Sequence, residues 1–269
     1  MNYKSWLDMA VQKLKLHNDD SVRLDSVLLL EKVTKQDRAY IYAHPEIKLS
    51  AQEVTLLDKL LKRRVVGEPM AYILGNKEFY GREFTVTKDV LIPRPDSENI
   101  IELLKLNTAI DTSFKLLDVG TGSGCLAITA KLERPNINVY ACDISNNALK
   151  VAKENAKTLE ADITFNESDL FANTPGKFDI ILANLPYIPN EFDVSDDVKS
   201  EPALALYSGN DGLYLTTKFF EHVIGKLNAG GFIIMESLQI QHKKINQLAE
   251  AAGLKLIETK DLVQLYKLK

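Results

Sequence analysis

Three stretches hold residues whose types and spacing can do chemistry. In "DVGTGSGC", Asp118 to Cys125, the glycines at 120, 122 and 124 follow an apolar run and precede a helical one. Backbone there can pass close to a ligand that a side chain would exclude. The spacing is G-x-G-x-G, whereas a loop cradling a pyrophosphate has its third glycine one residue later. Asp143 closes the next strand-like run, 19 residues beyond Gly124, where a carboxylate can accept hydrogen bonds from both hydroxyls of a ribose. A ribose bound without a pyrophosphate points to S-adenosylmethionine, whose cationic sulfonium and ammonium groups Asp118 can complement. Taken alone, Asp143 is an ordinary strand end or helix cap, and only its coupling to the glycine loop favours a ligand. In "SDLF", Asp169 can meet an adenine amino group, and Leu170 or Phe171 can pack on the ring or simply fill the core.

The third stretch, "NLPY", runs from Asn184 to Tyr187 at the end of the apolar run "DIILA". A planar NH2 group, as in a carboxamide or adenine, needs two acceptors at a fixed spacing. The Asn184 side-chain oxygen can supply one and the Leu185 carbonyl the other. Pro186 stiffens the turn and Tyr187 can stack on a flat substrate, so that the nitrogen is aimed along the line of methyl transfer. Positioning of this kind can lower a barrier by about 7 to 11 kcal/mol. No base is demanded, because the nitrogen can lose its proton to solvent after the methyl arrives. The competing reading is a strand-ending turn, in which Asn and Pro are ordinary residues.

The elements that must present these stretches follow from periodicity. From residue 3 to about 66 apolar residues recur at helical spacing, as in Trp6, Met9, Ala10 and Leu14. Asp20 or Ser21 is expected to cap the second helix, and Ser50 to Glu53 has capping-box spacing. "NKEFYGREFTVTKDVLI" alternates around Gly81 as a β-hairpin does. "PRPDSE" then interrupts regular structure, with Asp96 or Ser97 expected to start the helix "ENIIELLKL". The motif reads either as a loop closing over cofactor or substrate or as a linker with a helix cap, and Arg94 and Glu98 stay outside the candidate catalytic set. Beyond residue 114, strand and helix patterns alternate, which predicts a parallel sheet with crossover helices. The last two strand-like runs, "LKLIET" and "VQLYKL", are expected to be antiparallel neighbours. "NLPY" then ends the fourth strand beside the first, at the switch point where ligands collect. The expected organisation is an all-helical part over 1–75, a hairpin linker over 76–95 and an α/β part over 96–269.

The chain has 269 residues, 45% of them hydrophobic, and a formal charge of -4. That balance leaves no global electrostatic footprint for nucleic acid and favours protein or small-molecule partners. Cys125 and Cys142 lack C-x-x-C spacing and read as buried free thiols in a reducing compartment. His17, His44, His222 and His242 show no metal-ligand spacing. The first twenty residues carry both charge signs, unlike a signal peptide, and no apolar stretch is long enough to cross a bilayer. A cytoplasmic protein is expected.

Together, "DVGTGSGCLAI", "CDIS", "SDLF" and "NLPYIP", preceded by "LIPRPDSE", resemble the HemK/PrmC release-factor glutamine methyltransferases. The resemblance spans nearly the whole chain, including "GEPMAYILGNKEFYGREFTV" and "SEPALALYSGNDGL". It implies a Rossmann-like, class I S-adenosylmethionine-dependent methyltransferase domain with a seven-stranded, mostly parallel sheet, preceded by a helical domain that helps hold a release factor. The reaction implied is methylation of the side-chain amide of the glutamine in a Gly-Gly-Gln motif. By position the cofactor residues are Gly120, Thr121, Gly122, Ser123, Gly124, Asp143, Asp169, Leu170 and Asn184. Asn184, Leu185, Pro186 and Tyr187 clamp the substrate, with Asn184, Pro186 and Tyr187 catalytic. The family usually has proline where this chain has Leu185, and "NLPY" also occurs in ribosomal RNA adenine dimethylases. Adenine of RNA or DNA as substrate, or a non-catalytic module that binds release factors, are the alternatives.

Overall fold

The computed structural model describes residues 1–15 and 21–269, the side chain of Asp196 excepted. His17 and Asp20 lie outside the described residues. Along the chain, helices α1 (Tyr3–Lys15), α2 (Val22–Thr34), α3 (Arg38–Ala43), α4 (Ala51–Val65) and α5 (Met70–Leu74) precede the hairpin β1 (Asn76–Phe79) and β2 (Arg82–Thr85). Then come α6 (Glu98–Leu106), β3 (Lys115–Val119), α7 (Cys125–Glu133), β4 (Asn138–Asp143), α8 (Asn146–Thr158), β5 (Ile163–Glu167) and β6 (Phe178–Ala183). The short helices α9 (Asp196–Lys199) and α10 (Ala203–Leu206), α11 (Tyr214–Val223), β7 (Leu227–Glu236), α12 (His242–Ala251), β8 (Leu254–Lys260) and β9 (Val263–Leu268) complete it. No helix among the described residues is long and apolar enough to cross a membrane.

The chain forms two compact units, one of residues 1–75 with 195–200, the other of 76–194 with 201–269. The first is helical, and packs Trp6, Leu29, Leu30, Ile41 and Leu57 at its centre. α4 starts as its sequence predicts: Ser50 and Glu53 satisfy each other's backbone N–H groups in a capping box. Ser21 occupies the N-cap of α2 but makes no side-chain cap there. Arg64 is buried, donating from Nε to Asp25 and from Nη1 to Asp197, both at 2.8 Å. Burial alone would lower the guanidinium pKa, but its hydrogen bonds to Asp197 and Asp25 outweigh that and raise it.

In the second unit seven strands form one sheet in the order β5-β4-β3-β6-β7-β9-β8. The five from β3 to β7 run parallel, and β9 is antiparallel to both β7 and β8. Alternate residues serve opposite faces: Leu116 and Ile180 join one apolar layer, Leu117 and Ile181 the other. β7 begins earlier than its glycines suggest. Leu227 already pairs with Phe178, and a Cβ on Gly231 would meet the Asp179 carbonyl at 2.8 Å, so glycine permits a bulged approach. The hairpin turns through Tyr80 and Gly81, both at positive φ. Glu98 accepts from the Tyr80 N–H at 2.9 Å and thereby holds the turn.

Candidate active site

The carboxyl ends of β3, β4 and β6 open into a cavity of about 280 Å³, where doubly wound sheets gather their ligands. Gly120 has φ +74 and follows β3, and a Cβ there would meet Leu185 Cδ2 at 3.2 Å. The loop is tied to β4, since Gly120 and Thr121 both donate to the Cys142 carbonyl, at 2.9 and 3.0 Å. Gly120, Thr121, Gly122 and Ser123 line the cavity, whereas Gly124 does not. A Cβ on Gly124 would meet Ile128 and Ala152 at 3.0 and 3.2 Å, so this glycine lets helices α7 and α8 approach.

Asp143 lines the cavity from the end of β4. Its Oδ2 accepts from Gly122 N–H at 2.9 Å and its Oδ1 from Ser145 N–H at 2.8 Å. Burial raises its pKa against the pull of these amides. Each carboxylate oxygen has a second lone pair, so the same group can brace the loop and still receive two hydroxyls. Asp118 is 1% exposed and does not line the cavity; it accepts from Thr121 Oγ1 at 2.6 Å. Burial pushes its pKa up to about 7, with the Thr121 bond opposing. Asp169 and Leu170 also line the cavity, while Phe171 is buried in the apolar layer. Cys142 is buried as expected, whereas Cys125 is half-buried and lines the cavity; their surroundings push both thiols up to about 12, which makes both poor nucleophiles.

From β6 come Asn184, Leu185 and Pro186, all in the cavity wall. Asn184 Nδ2 donates to Ser97 Oγ at 2.9 Å. Ser97 occupies the N-cap position of α6 but makes no cap hydrogen bond, contrary to the expectation from "PRPDSE". Its hydroxyl is committed to the site instead. Tyr187 is partly buried and does not line the cavity; its hydroxyl donates to Glu236 Oε1 at 2.8 Å. Burial first, then the Glu236 charge, raises the phenol pKa well above its ordinary value.

The backbone after Tyr187 is clamped by the stretch around "LYSGNDG". Ile188 N–H donates to the Leu206 carbonyl, Ser208 N–H to the Ile188 carbonyl and Asn190 N–H to the Gly209 carbonyl, at 2.9 to 3.0 Å. Gln241 Nε2 donates to the Tyr187 carbonyl at 2.8 Å, and Gly212 lies so close that a Cβ on it would sit 2.1 Å from that oxygen. Across the cavity, Arg94 pairs with the buried Glu201, which also accepts from Ile92 N–H at 2.9 Å. Arg94 therefore fixes the "PRP" wall to the segment that supplies Pro202 and Leu204 to the cavity. Sequence reasoning missed Ser97, Glu201 and Glu236 as site residues. A lone acid ending the apolar run "GFIIMES" was the one available signal for Glu236.

Comparison with known proteins agrees with this architecture. Residues 5–75 match the family model of the PrmC N-terminal domain, and residues 96–201 that of the methyltransferase small domain. The release factor glutamine methyltransferase of Koribacter versatilis is 42% identical over 241 residues, which cover 88% of this chain and 86% of that one. That of Coxiella burnetii is 39% identical over 249 residues, covering 91% and 90%. A solved methyltransferase from Pyrococcus furiosus shares the fold at a TM-score of 0.53 and 18% identity, over 78% of this chain and 96% of that one. The parallel sheet, the glycine loop opposite "NLPY" and relatives matched over most of their length make this chain a member of the release factor glutamine methyltransferase family.

Proposed function

We propose that this cavity binds S-adenosylmethionine beside the Gly120–Gly124 loop and receives the side-chain amide of the glutamine in a release factor's Gly-Gly-Gln motif. Family membership makes the protein a methyltransferase of release-factor glutamine; the proposal concerns which atoms do it. The glycine loop fits the cofactor, because Gly120 holds φ +74 and a Cβ there would crowd Leu185 Cδ2 at 3.2 Å in the cavity wall. In this reading Asp143 receives the ribose hydroxyls, and Asp169 and Leu170 border the adenine. Gly124 supports the loop through helix packing. The bound cofactor supplies an electrophilic methyl group.

The observation that carries the reading is the orientation of Asn184. Its amide nitrogen is turned to Ser97, and among the described residues no donor reaches its Oδ1 or the Leu185 carbonyl. Two unspent acceptors in adjacent residues match the two N–H bonds of a primary amide. Leu185 retains this carbonyl although proline is usual in the family. Pro186 keeps the pair rigid, and Tyr187, its hydroxyl anchored on Glu236, holds its ring fixed behind the pair. The amide nitrogen is held for in-line displacement and gives its extra proton to solvent afterwards. The helical residues 1–75 hold the release factor. A cytoplasmic setting agrees with two free cysteines, and the chain's negative charge supports a protein substrate over nucleic acid.

The test is methyl transfer itself. Incubated with a release factor and isotopically labelled cofactor, the protein should add one methyl group to the Gly-Gly-Gln peptide, read by mass spectrometry. Label that appears on RNA or DNA and never on that peptide would defeat the reading.

A further inference from the structure

A carboxamide can rotate by half a turn without changing shape, which exchanges its oxygen for its NH2. At Asn184 that exchange would present a donor where the incoming substrate NH2 needs an acceptor. Something must hold the amide one way round. We propose that Ser97 and Glu236 are positioning residues that fix the Asn184 amide with Oδ1 free for substrate, Glu236 anchoring Tyr187 as well. The inference rests on the reading of Asn184 Oδ1 as the substrate acceptor and extends it to Ser97, which lines the cavity, and to Glu236, which does not.

Three elements converge to make the arrangement. Ser97 comes from the start of α6, Glu236 from the end of β7, and Asn184 and Tyr187 from the end of β6. Ser97 and Glu236 are each 2% exposed. Glu236 has no ion-pair partner among the described residues, and a buried acid without a cation is costly enough to ask for an explanation. Burial pushes its pKa up, helped by the nearby Asp96 charge, while its polar neighbours Ser97, Tyr187 and Asn184 oppose that rise.

The direction of each bond follows from what a carboxylate can do. Toward a carboxyl oxygen that carries no proton, a hydroxyl can only donate. Tyr187 therefore donates to Oε1, at 2.8 Å. Oε2 makes no hydrogen bond of full geometry among the described residues, yet Ser97 is near enough to favour its charge. A serine hydroxyl has a single proton. Turned toward Glu236, it leaves Ser97 Oγ with only lone pairs for Asn184. The amide must then meet Ser97 with its NH2 end, as it does at 2.9 Å, and its oxygen is left for the cavity. The acid, beside the serine that receives the amide, thus favours the orientation that leaves Asn184 Oδ1 for substrate.

The test uses the full chain with release factor as substrate, measuring kcat, KM, cofactor affinity and melting temperature. Glu236→Gln can donate as well as accept, and Ser97→Ala removes the bridge. Both should lower kcat by roughly tenfold or more while cofactor affinity holds within about twofold. Ser97→Thr keeps the hydroxyl and should restore most of the turnover. Unchanged kcat in Glu236→Gln and Ser97→Ala, alongside an inactive Asn184→Ala, would overturn this inference alone. Equal loss of activity, cofactor affinity and melting temperature in Ser97→Ala and Ser97→Thr would also overturn it, since that marks a packing role. Full turnover by Asn184→Ala would overturn both the inference and the reading beneath it.

Discussion

Single residues in this site act mostly by what their backbone permits or their burial forbids. Gly120 has φ +74, a conformation that disfavours any side chain, and its neighbour Leu185 Cδ2 would lie 3.2 Å from an added Cβ. Gly120→Ala should therefore weaken cofactor affinity at least several-fold and destabilise the fold by about 1 to 2 kcal/mol; calorimetry and thermal melting read both, and wild-type affinity would refute the account. Asp118 makes a prediction about pH. Its pKa rises from 3.8 to about 7 on burial, so the folded state binds the extra proton and ionisation costs stability progressively across that window. The melting temperature of wild type minus that of Asp118→Asn should fall as pH rises from about 4 to about 7, and a flat difference would contradict it. Gly120 and Asp143 were legible as cavity-lining positions because local rules govern them, positive φ selecting glycine and a strand end presenting an acid, whereas Asp118, read as facing a cofactor, lies buried behind the wall. Ser97 and Glu236 were not legible, because their roles depend on partners 87 and 49 residues away.

At the scale of elements, the loops are as deliberately placed as the strands. The run "SEPALALYSGNDGL" supplies the carbonyls and N–H groups that hold Ile188 and Asn190, and Gln241 holds the Tyr187 carbonyl beside it. Gly212 is its tightest point, with Tyr187 O at 2.1 Å and Gln241 Nε2 at 2.5 Å from a hypothetical Cβ. Gly212→Ala must displace the clamp, so turnover should fall by roughly tenfold or more with a smaller effect on cofactor affinity. A loss confined to cofactor affinity would show that the clamp matters less than its geometry suggests. Periodicity located all seven strands and the antiparallel closing pair, since alternation and length are properties of each segment. The apolar run "GFIIMES" marks only the later part of β7, because Asn228 to Gly230 ahead of it lack strand periodicity. The neighbouring strand explains the glycine that follows: Gly231 is small so that the Asp179 carbonyl can come near.

At the scale of the molecule, residues 195–200 belong to the helical unit although they lie deep in the sequence of the other. Arg64 explains part of this, being buried between Asp25 and Asp197. Arg64→Ala should cost about 3 to 5 kcal/mol, since it strands a buried acid. Asp197→Ala should cost less, about 1 to 2 kcal/mol, because that carboxylate is half exposed and Asp25 stays with the arginine. Denaturant unfolding of the full chain ranks the two, and the reverse order would refute the assignment. No periodicity signals such a pairing, which is why the returning segment was not readable in the sequence. The returning segment also bears on synthesis and on engineering. Arg64 precedes Asp197 by 133 residues, and at ribosomal speeds that interval lasts about 7 to 27 seconds. The nascent helical bundle must spend that time with one ligand of its central arginine not yet made. Chimaeras that exchange the amino-terminal domain between relatives should transplant the hexapeptide 195–200 with it, or inherit a mismatched seam.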